Sequence, residues 1–430
     1  MKQLPEEFVR RTRKLMGEEL FDCFMRAFDE EPPVSIRLNP AKVQGIPALT
    51  DGVPWCQLGC YLPRRPNFTF DPLLHAGCYY VQEAASMFIH HILRQYVDHP
   101  VDMADFCAAP GGKSTCAISA LPQGSSLWSN DPVRTRASIL SENIQKWGYD
   151  GCTVTCCKPE DYVRTGLAFD VILCDVPCSG EGMFRKDAET IGEWSPQQVE
   201  KCWQLQRQIA DSAWQCLRPG GLLIYSTCTF NTKENEENVR WICEQLGAEL
   251  LPVATEPEWN ITGSLLRGFD GPVYRFIPGV TRSEGLFVAV MRKSGQASAA
   301  SLQTLSFAKE GKGCAKEHKN RSSEDKGRKG RNRKEQAERD DLNALPRLSF
   351  GEEPKASVAL DYPAAISFLR GEAIVLPEGT PRGLLTVSFL GHPLGMVKNI
   401  GQRANNLYPK EWRIKSTHIP EEYEAILRLA

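Results

Sequence analysis

The chain has 430 residues, of which 42% are hydrophobic and 24% charged, and its formal net charge is −2. This composition is ordinary for a soluble globular protein, and the length suffices for two or three domains with at least one large core. The small net charge excludes a globally basic nucleic-acid-binding protein, so any basic surface must be local. No apolar run approaches membrane-spanning length and the N-terminus lacks a signal-peptide pattern, so we expect a cytoplasmic protein without membrane contact.

Sixteen cysteines are scattered along the chain, and no Cys-x-x-Cys pair occurs. This usage is typical of a reducing compartment in which the thiols stay free. Two groups have a spacing that could serve a structural zinc ion: Cys56 with Cys60, and Cys152 with Cys156 and Cys157. Neither group has His or Cys partners at zinc-finger spacing, so we predict no metal site.

The first part of the chain predicts a small α+β module. Residues 6–28 carry apolar side chains at helical spacing, and residues 34–40 alternate like a strand. Residues 41–80 are rich in Pro, Gly and aromatic residues, and we predict that a helix over 81–93 then leads into the main domain.

The middle of the chain alternates strand and helix patterns. The predicted strands are 101–106, 126–130, 152–155, 169–175, 222–228, 248–253 and 286–291, and the predicted long helices are 132–147, 196–217 and 233–246. Such alternation predicts a doubly wound α/β sheet with right-handed crossovers and helices on both faces.

Residues 294–340 break this pattern, with eleven basic and four acidic residues between Lys309 and Lys334. Low apolar content and high charge predict a basic disordered linker. It is either a tether that adds salt-dependent affinity for a polyanion or a solvated spacer. Residues 341–430, with short apolar stretches at 373–376 and 384–390, predict a compact β-rich module.

A candidate cofactor loop follows the strand at 101–106 and opens a helix; it reads Cys107, Ala108, Ala109, Pro110, Gly111, Gly112, Lys113 and Ser114. A phosphate-binding P-loop would need glycine where Cys107 stands, so that interpretation fails. What remains is a turn of small residues at a helix N-terminus, where free backbone N–H groups favour a carboxylate.

An acid, Asp131, follows the next strand, at the place where a nucleotide ribose is usually held by its hydroxyls. A ligand with both a carboxylate and an adenosine ribose fits S-adenosylmethionine. A glycine turn alone often reflects only tight packing of a helix on a strand. The loop and the acid together favour the cofactor interpretation.

Two further strands end in cysteine-bearing loops. An unbroken apolar run at 171–173 leads to Asp175 and Cys178, and a second run at 222–224 leads to Cys228. The carboxyl ends of strands in an open α/β sheet meet at the ligand crevice. A cysteine near a strand end is usually a small buried hydrophobe. Cys178 follows a proline and Cys228 lies between threonines before a helix, a context that favours a reactive thiolate.

A thiolate also needs a nearby cation, and the sequence offers Lys113, with Arg185 or Lys186 as further candidates.

Three segments closely resemble signature motifs of the Nol/Nop/Sun family of RNA (cytosine-5) methyltransferases. They are Phe106-Cys107-Ala108-Ala109-Pro110-Gly111-Gly112-Lys113, Asp175-Val176-Pro177-Cys178-Ser179-Gly180 and Ser226-Thr227-Cys228-Thr229. The resemblance extends upstream through 80–87, and the segments 177–185 and 405–412 are most similar to the bacterial ribosomal-RNA (RsmF-type) branch. It covers nearly all of the chain except the linker.

The resemblance implies an α/β fold with three folded parts. These are an N-terminal RNA-binding α+β module over 1–95, a Rossmann-like class I methyltransferase domain over 96–293 and, beyond the linker of 294–340, a PUA-like RNA-binding module over 341–430. It also implies S-adenosylmethionine as cofactor, bound by the loop 107–113 with Asp131 and Asp175.

The resemblance further implies the catalytic roles. Cys228 would attack carbon 6 of cytosine, and Cys178 would assist release of the product. Asp175 would hydrogen-bond the cytosine N3 edge and contact the cofactor, while Lys113 would lie beside the cofactor or the target base. Because the base has to enter a pocket, we expect a single-stranded or flipped nucleotide.

Two positions depart from the family pattern. Lys158 stands near the adenine side where relatives often carry an acid, so no adenine contact is assigned there, and Gly279 stands where relatives often have His. Gln82 and Glu83 are interpreted as braces of the sheet rather than RNA contacts.

We therefore predict a monomeric RNA cytosine-5 methyltransferase acting on ribosomal RNA. The rival substrate within the same chemistry is transfer RNA. From another class, the chain could be an RNA-binding ribosome assembly factor without turnover, but a pure binder needs neither Cys178 nor Cys228. A DNA cytosine methyltransferase would show a different motif order.

Overall fold

The computed structural model describes residues 4–43, 51–295, 342–347, 354, 356–416, 418–420 and 422–427. Its helices are α1 Glu6–Arg26, α2 Pro72–His75, α3 Phe88–Tyr96, α4 Gly112–Ala120, α5 Arg134–Trp147, α6 Pro159–Thr165, α7 Ala188–Glu193, α8 Pro196–Cys216, α9 Glu236–Leu246 and α10 Tyr362–Leu369. None of these described helices is long and apolar enough to cross a bilayer. The basic segment from Lys309 to Lys334 lies outside the described residues, so the linker remains a prediction.

The strands form three sheets. They are β1 Val34–Leu38, β2 Gly52–Val53, β3 Cys56–Leu62, β4 Tyr79–Val81, β5 Asp102–Asp105, β6 Ser126–Asn130, β7 Cys152–Thr155, β8 Phe169–Asp175, β9 Leu217–Thr227, β10 Ala248–Leu251, β11 Tyr274–Phe276, β12 Leu286–Lys293, β13 Ser357–Ala359, β14 Gly383–Phe389, β15 His392–Asn399 and β16 Ala404–Asn406.

The N-terminal sheet has the order β2-β3-β1-β4 and is antiparallel throughout. The predicted helix over 81–93 is wrong at its start. Val81 pairs with Ile36 as the last residue of β4, and α3 begins only at Phe88. In α1, Gly17 has a φ of 76°, which interrupts the helical backbone near its middle.

The central sheet has eight strands, seven of them in the order β7-β6-β5-β8-β9-β12-β10, with β11 paired to β12. Strands β5 to β9 run parallel, and β12 is antiparallel to β9, β10 and β11. The chain reverses its direction of travel across the sheet between β5 and β8. In open α/β sheets, ligands bind beyond the carboxyl ends of the strands at such a switch point.

Both faces of this sheet are covered, which explains its unbroken apolar strands. In β8, Val171 and Leu173 pack in the cluster on the side of α3, α4 and α5, whereas Ile172 and Cys174 pack on the side of α6, α8 and α9. A strand buried on both faces has no polar alternation. The predicted doubly wound sheet is therefore confirmed.

The C-terminal module has a four-stranded sheet, β13-β14-β15-β16, and α10. The predicted strand over 373–376 is reduced to a single bridge between Ile374 and Ala404. The apolar side chains of the C-terminal module form one buried cluster together with those of the N-terminal module. At that contact, the Tyr423 hydroxyl donates to Oδ1 of Asp71 over 3.3 Å.

A buried ion pair fixes α9 against β11. Arg275 and Glu236 are both almost completely buried, and Nε of Arg275 donates to Oε1 of Glu236 over 2.7 Å. Nη1 of Arg275 also donates to the Phe230 carbonyl oxygen over 2.7 Å. Two charges in the interior are tolerated because they pair with each other and because the Phe230 carbonyl accepts a further guanidinium N–H.

Replacing Glu236 by glutamine should lower the free energy of unfolding by about 3 kcal/mol, because the Arg275 guanidinium keeps its charge without a counter-charge. Urea denaturation followed by circular dichroism measures this change. The exposed Glu244, on the same helix, is the control, and Glu244→Gln should change stability by less than about 0.5 kcal/mol. Equal effects of the two variants would contradict the prediction.

Candidate active site

The two cysteine-bearing loops meet beyond the carboxyl ends of β8 and β9. The strands are adjacent and parallel, and their register places Asp175 opposite Ser226. Sγ of Cys178 lies 3.1 Å from Sγ of Cys228. Asp175 accepts a hydrogen bond from Nζ of Lys113 over 2.8 Å and another from the Ser226 hydroxyl over 2.7 Å. The structure therefore brings together all four residues that the sequence proposes as catalytic.

The charges around the thiols differ between the two cysteines. The hydrogen bond to Cys228, followed by burial, raises the pKa of Cys178 well above its ordinary value, so Cys178 keeps its proton at neutral pH. Burial lowers the pKa of Lys113, but the Asp175 carboxylate outweighs it and raises the pKa overall. An anion on Cys228 would lie in the field of this ammonium group.

The first tie between the two loops is Glu181. Its Oε2 accepts from the backbone N–H of Phe230 over 2.7 Å and of Asn231 over 3.0 Å. Beside it, the Gly182 N–H donates to the Cys228 carbonyl over 2.7 Å. A Cβ at Gly182 would lie 2.7 Å from that same oxygen, so only glycine allows this approach.

The second tie is Glu234, which is completely buried. Its Oε2 accepts from the Ser179 N–H over 2.9 Å and from the Gln206 amide over 2.7 Å. Its Oε1 accepts from the Ser179 hydroxyl and from the Asn231 amide. Burial, followed by the nearby Glu181, raises the pKa of Glu234 to about 7.

The candidate cofactor loop lies next to this site, between β5 and α4. The Ala108 N–H donates to the Asn130 carbonyl oxygen of β6 over 2.8 Å, which fixes the start of the loop. Gly111 has a φ of 111°, a conformation that side chains rarely adopt, and α4 begins at Gly112. The turn therefore presents the free N–H groups of the first turn of α4 to a ligand.

The remaining loop residues act through the backbone. Cys107 is buried, and burial raises the pKa of its thiol well above the ordinary value, so it is a neutral apolar side chain. The carbonyl of Pro110 accepts from Nδ2 of Asn143 over 2.8 Å, and that of Ala109 from Arg136 over 3.3 Å. The Ala109–Pro110 peptide bond is cis.

Asp131 follows β6 and is buried at the same edge of the sheet. Its Oδ1 accepts from the Val133 N–H over 3.0 Å, and Oδ2 lies 3.1 Å from Arg136. This is the position predicted for an acid that binds ribose hydroxyls.

Asp105 is a site residue that the sequence analysis missed, because it lies inside a predicted strand. It is completely buried, and Oδ2 accepts from the Ser114 hydroxyl over 2.6 Å. Oδ1 makes no hydrogen bond within the described part of the chain. An acid with a spare acceptor beside a helix N-terminus suits a zwitterionic amino acid, whose carboxylate meets the N–H groups. The residues present therefore fit the methionine part of S-adenosylmethionine.

The sequence also offers Arg185 and Lys186 as cations beside a thiolate. Arg185 is buried in an ion pair with Glu284 at 2.9 Å, and Lys186 is exposed. Gln82 braces the structure, accepting from Arg37 over 2.7 Å and donating to the Gly112 carbonyl over 3.1 Å.

The sequence analysis also interprets Glu83 as a brace of the sheet and assigns no adenine contact to Lys158. Glu83 accepts from the Glu284 N–H over 3.0 Å, which makes it a brace as well. Lys158 precedes α6, and its N–H donates to Oδ2 of Asp161 over 2.8 Å. No group of three or more His, Cys, Asp or Glu side chains in the described ranges could hold a metal ion.

The sheet order, the glycine turn and the acids beyond β5 and β6 define a Rossmann-like class I methyltransferase domain. Family models match three parts of the chain: "16S rRNA methyltransferase RsmB/F" over residues 92–292, the "N-terminal domain of 16S rRNA methyltransferase RsmF" over 4–84 and the "Methyltransferase RsmF PUA domain" over 355–414. The chain belongs to the RsmB/F family of methyltransferases.

Individual relatives agree with this assignment. The ribosomal RNA small subunit methyltransferase F of Klebsiella pneumoniae is 33% identical over 316 residues, covering 67% of this chain and 64% of the relative. The chain thus matches just under two thirds of that relative's length. A methyltransferase homolog protein from Pyrococcus horikoshii, of known structure, is 25% identical with a TM-score of 0.58, covering 67% of this chain and 95% of the other. The structure of NSun6 from Pyrococcus horikoshii with SFG has the same fold, at 20% identity, a TM-score of 0.55 and coverage of 68% and 99%.

Asp105 should make stability depend on pH. Burial raises its pKa to about 7, whereas in the unfolded chain it is near 3.9. Between these values the folded protein binds more protons than the unfolded one, so the free energy of unfolding falls as pH rises. Asp105→Asn cannot ionise. Its stability relative to the wild type should therefore increase between pH 4 and pH 7 and stay constant above.

Urea denaturation at pH 5 and pH 8 tests this, with the exposed Asp211→Asn as control. The stability difference between Asp105→Asn and the wild type should be larger at pH 8, by on the order of 1 kcal/mol or more. A difference that does not vary with pH would show that Asp105 is not protonated in the folded protein.

Proposed function

We propose that this chain is an enzyme that transfers a methyl group from S-adenosylmethionine to carbon 5 of a cytosine in ribosomal RNA. The observation that carries the proposal is the thiol pair of Cys178 and Cys228, 3.1 Å apart, next to the Asp175–Lys113 pair and one loop away from the candidate cofactor turn. The small-subunit ribosomal RNA methyltransferases among the relatives support the choice of RNA. We further propose that the enzyme acts as a monomer in the cytoplasm.

The chemistry explains why two thiols are needed. Carbon 5 of cytosine is a poor nucleophile, so the Cys228 thiolate first forms a bond to carbon 6, and the ring electrons shift toward carbon 5. The cofactor supplies the electrophilic methyl group, which carbon 5 accepts. Loss of the carbon 5 proton to water then restores the double bond between carbons 5 and 6, and the carbon–sulfur bond breaks as the Cys228 sulfur leaves as a thiolate. Cys178, whose protonated sulfur lies 3.1 Å from that of Cys228, assists this last step by donating a hydrogen bond to the departing thiolate.

Asp175 and Lys113 hold the target ring and balance its charge. To hydrogen-bond N3 of cytosine, where negative charge develops when the thiolate adds, the Asp175 carboxylate would first have to take up a proton and then donate it in that hydrogen bond. The Lys113 ammonium, 2.8 Å from Asp175, would offset that charge. The cofactor itself would be held by the loop 107–113, with Asp131 on the ribose and Asp105 on the amino group.

The outer modules would bind the RNA. We propose that the N-terminal module of residues 1–95 and the PUA-like module of 341–430 position the strand, with the methyltransferase domain over 96–293 between them in sequence. The target cytosine has to leave its stack to reach Cys228. The basic segment of 294–340 would add salt-dependent affinity.

Two rivals remain open to test. Transfer RNA is the alternative substrate, and methylation of purified transfer RNA and small-subunit ribosomal RNA side by side would decide between them. An assembly factor without turnover would bind RNA yet transfer no methyl group. The thiol pair disfavours the second rival, because binding alone does not need it.

Cys228→Ala should abolish methyl transfer, because the variant lacks the thiolate that adds to carbon 6, and the remaining Cys178 thiol keeps its proton at neutral pH. Incorporation of tritiated methyl groups into RNA measures the activity, and calorimetry should show that S-adenosylmethionine still binds. The control is Cys243→Ala, a half-buried cysteine on α9, which should keep full activity. Full activity of the Cys228 variant would refute the assignment.

Cys178→Ala should still form the bond to RNA but break it slowly, because the thiol next to the Cys228 sulfur is gone. A covalent protein–RNA adduct should therefore accumulate on denaturing gels in the presence of S-adenosylmethionine. The double variant that also carries Cys228→Ala should show no adduct. If the single variant forms none either, Cys178 does not act in release.

A further inference from the structure

Glu234 is a buried carboxylate whose acceptor capacity is completely used. Its two carboxylate oxygens receive four donors, two on each oxygen, from Ser179, Gln206 and Asn231. It touches neither the proposed cofactor loop nor the Asp175–Lys113 pair in any of these contacts. The sequence resemblance assigned it no role.

The four donors come from the three elements that surround the thiols. Ser179 follows Cys178 directly in the loop after β8, and Asn231 lies three residues after Cys228 in the loop after β9. Gln206 lies on α8 and also donates to the Pro177 carbonyl over 2.9 Å, so it holds the residue before Cys178. Glu234 thus accepts hydrogen bonds from all three elements.

We propose that Glu234 is a positioning residue of the methyl transfer, whose carboxylate sets the distance between the sulfur atoms of Cys178 and Cys228. The inference rests on the proposed function, since the distance matters only if the two thiols act on the same ring. A shift of about 1 Å between reacting groups costs on the order of 100-fold in rate.

Only a carboxylate can accept all four of these hydrogen bonds. Each oxygen faces two donors, so replacing one oxygen by an amide NH₂ group, as in Glu234→Gln, loses two acceptor contacts and places a donor against two donors. Aspartate keeps both acceptors but is shorter by one methylene group. The isosteric glutamine should therefore disturb the loops more than aspartate does.

If Glu234 only stabilised the fold, its replacement would lower stability without changing the distance between the sulfur atoms of Cys178 and Cys228. The sulfur atoms of Cys178 and Cys228 are 3.1 Å apart, and their hydrogen bond raises the pKa of Cys178, so the pH at which Cys178 becomes reactive should respond to a change in this contact. Because the Glu234 charge also raises the pKa of Cys178, a second variant must loosen the loop and leave the charge in place. Ser179→Ala does so, since it removes one hydrogen bond to Glu234.

The experiment compares full-length wild type, Glu234→Gln, Glu234→Asp, Ser179→Ala and the exposed control Glu244→Gln. Alkylation of Cys178 by iodoacetamide is followed against pH by peptide mass spectrometry, without RNA. Methyl transfer is measured in parallel as kcat and KM for RNA, and circular dichroism checks folding.

We expect Glu234→Gln to lower kcat about 100-fold, with KM within about twofold of the wild type, and Glu234→Asp to recover part of the loss. In Glu234→Gln and in Ser179→Ala, alkylation of Cys178 should move to lower pH, because its bond to Cys228 is weakened. Glu244→Gln should match the wild type in both measurements.

Unchanged alkylation in a folded Glu234→Gln protein would overturn the proposal. A shift in Glu234→Gln but none in Ser179→Ala would also overturn it, because the effect would then come from charge alone. If Glu234→Gln does not fold, the Ser179→Ala result decides. If the wild type transfers no methyl group to RNA, the proposed function fails, while the alkylation profiles still report whether Glu234 sets the thiol contact.

Discussion

The structure of the site depends on closing two loops onto each other at the ends of β8 and β9. Two buried carboxylates, Glu181 and Glu234, hold them together. Removing a carboxylate from water costs several kcal/mol, and this cost is offset only when every oxygen is hydrogen-bonded. The acids are retained, in this interpretation, because they fix the positions of Cys178 and Cys228 rather than because they strengthen the fold.

The fold could be predicted where the residue pattern of a short segment reflects which of its faces are buried. The strands of the central sheet are covered on both faces, so their apolar runs mark them within a few residues. The meeting of Cys178 with Cys228 also followed from the sequence, because neighbouring parallel strands present their carboxyl ends at the same edge. The glycine turn and Asp131 were found for the same reason.

What the sequence did not reveal depends on partners distant along the chain. Val81 has a helical context, yet it pairs with Ile36 in a sheet, so tertiary pairing overrides the local preference. The short strand β11 has only three residues, too few for a pattern. The ion pair of Arg275 with Glu236 joins two unremarkable charged residues 39 positions apart, and nothing in the order of residues marks it as buried.

The two ends of the chain share one apolar core. The cluster that joins Leu73 and Tyr79 of the N-terminal module to Ile366 and Leu427 of the C-terminal module is completed only after synthesis has reached Leu427. During translation, the first module therefore leaves the ribosome with an apolar face uncovered for the time needed to synthesise some 300 further residues, roughly 15–60 s at about 5–20 residues per second. Chaperone protection of the nascent chain would matter most in this interval.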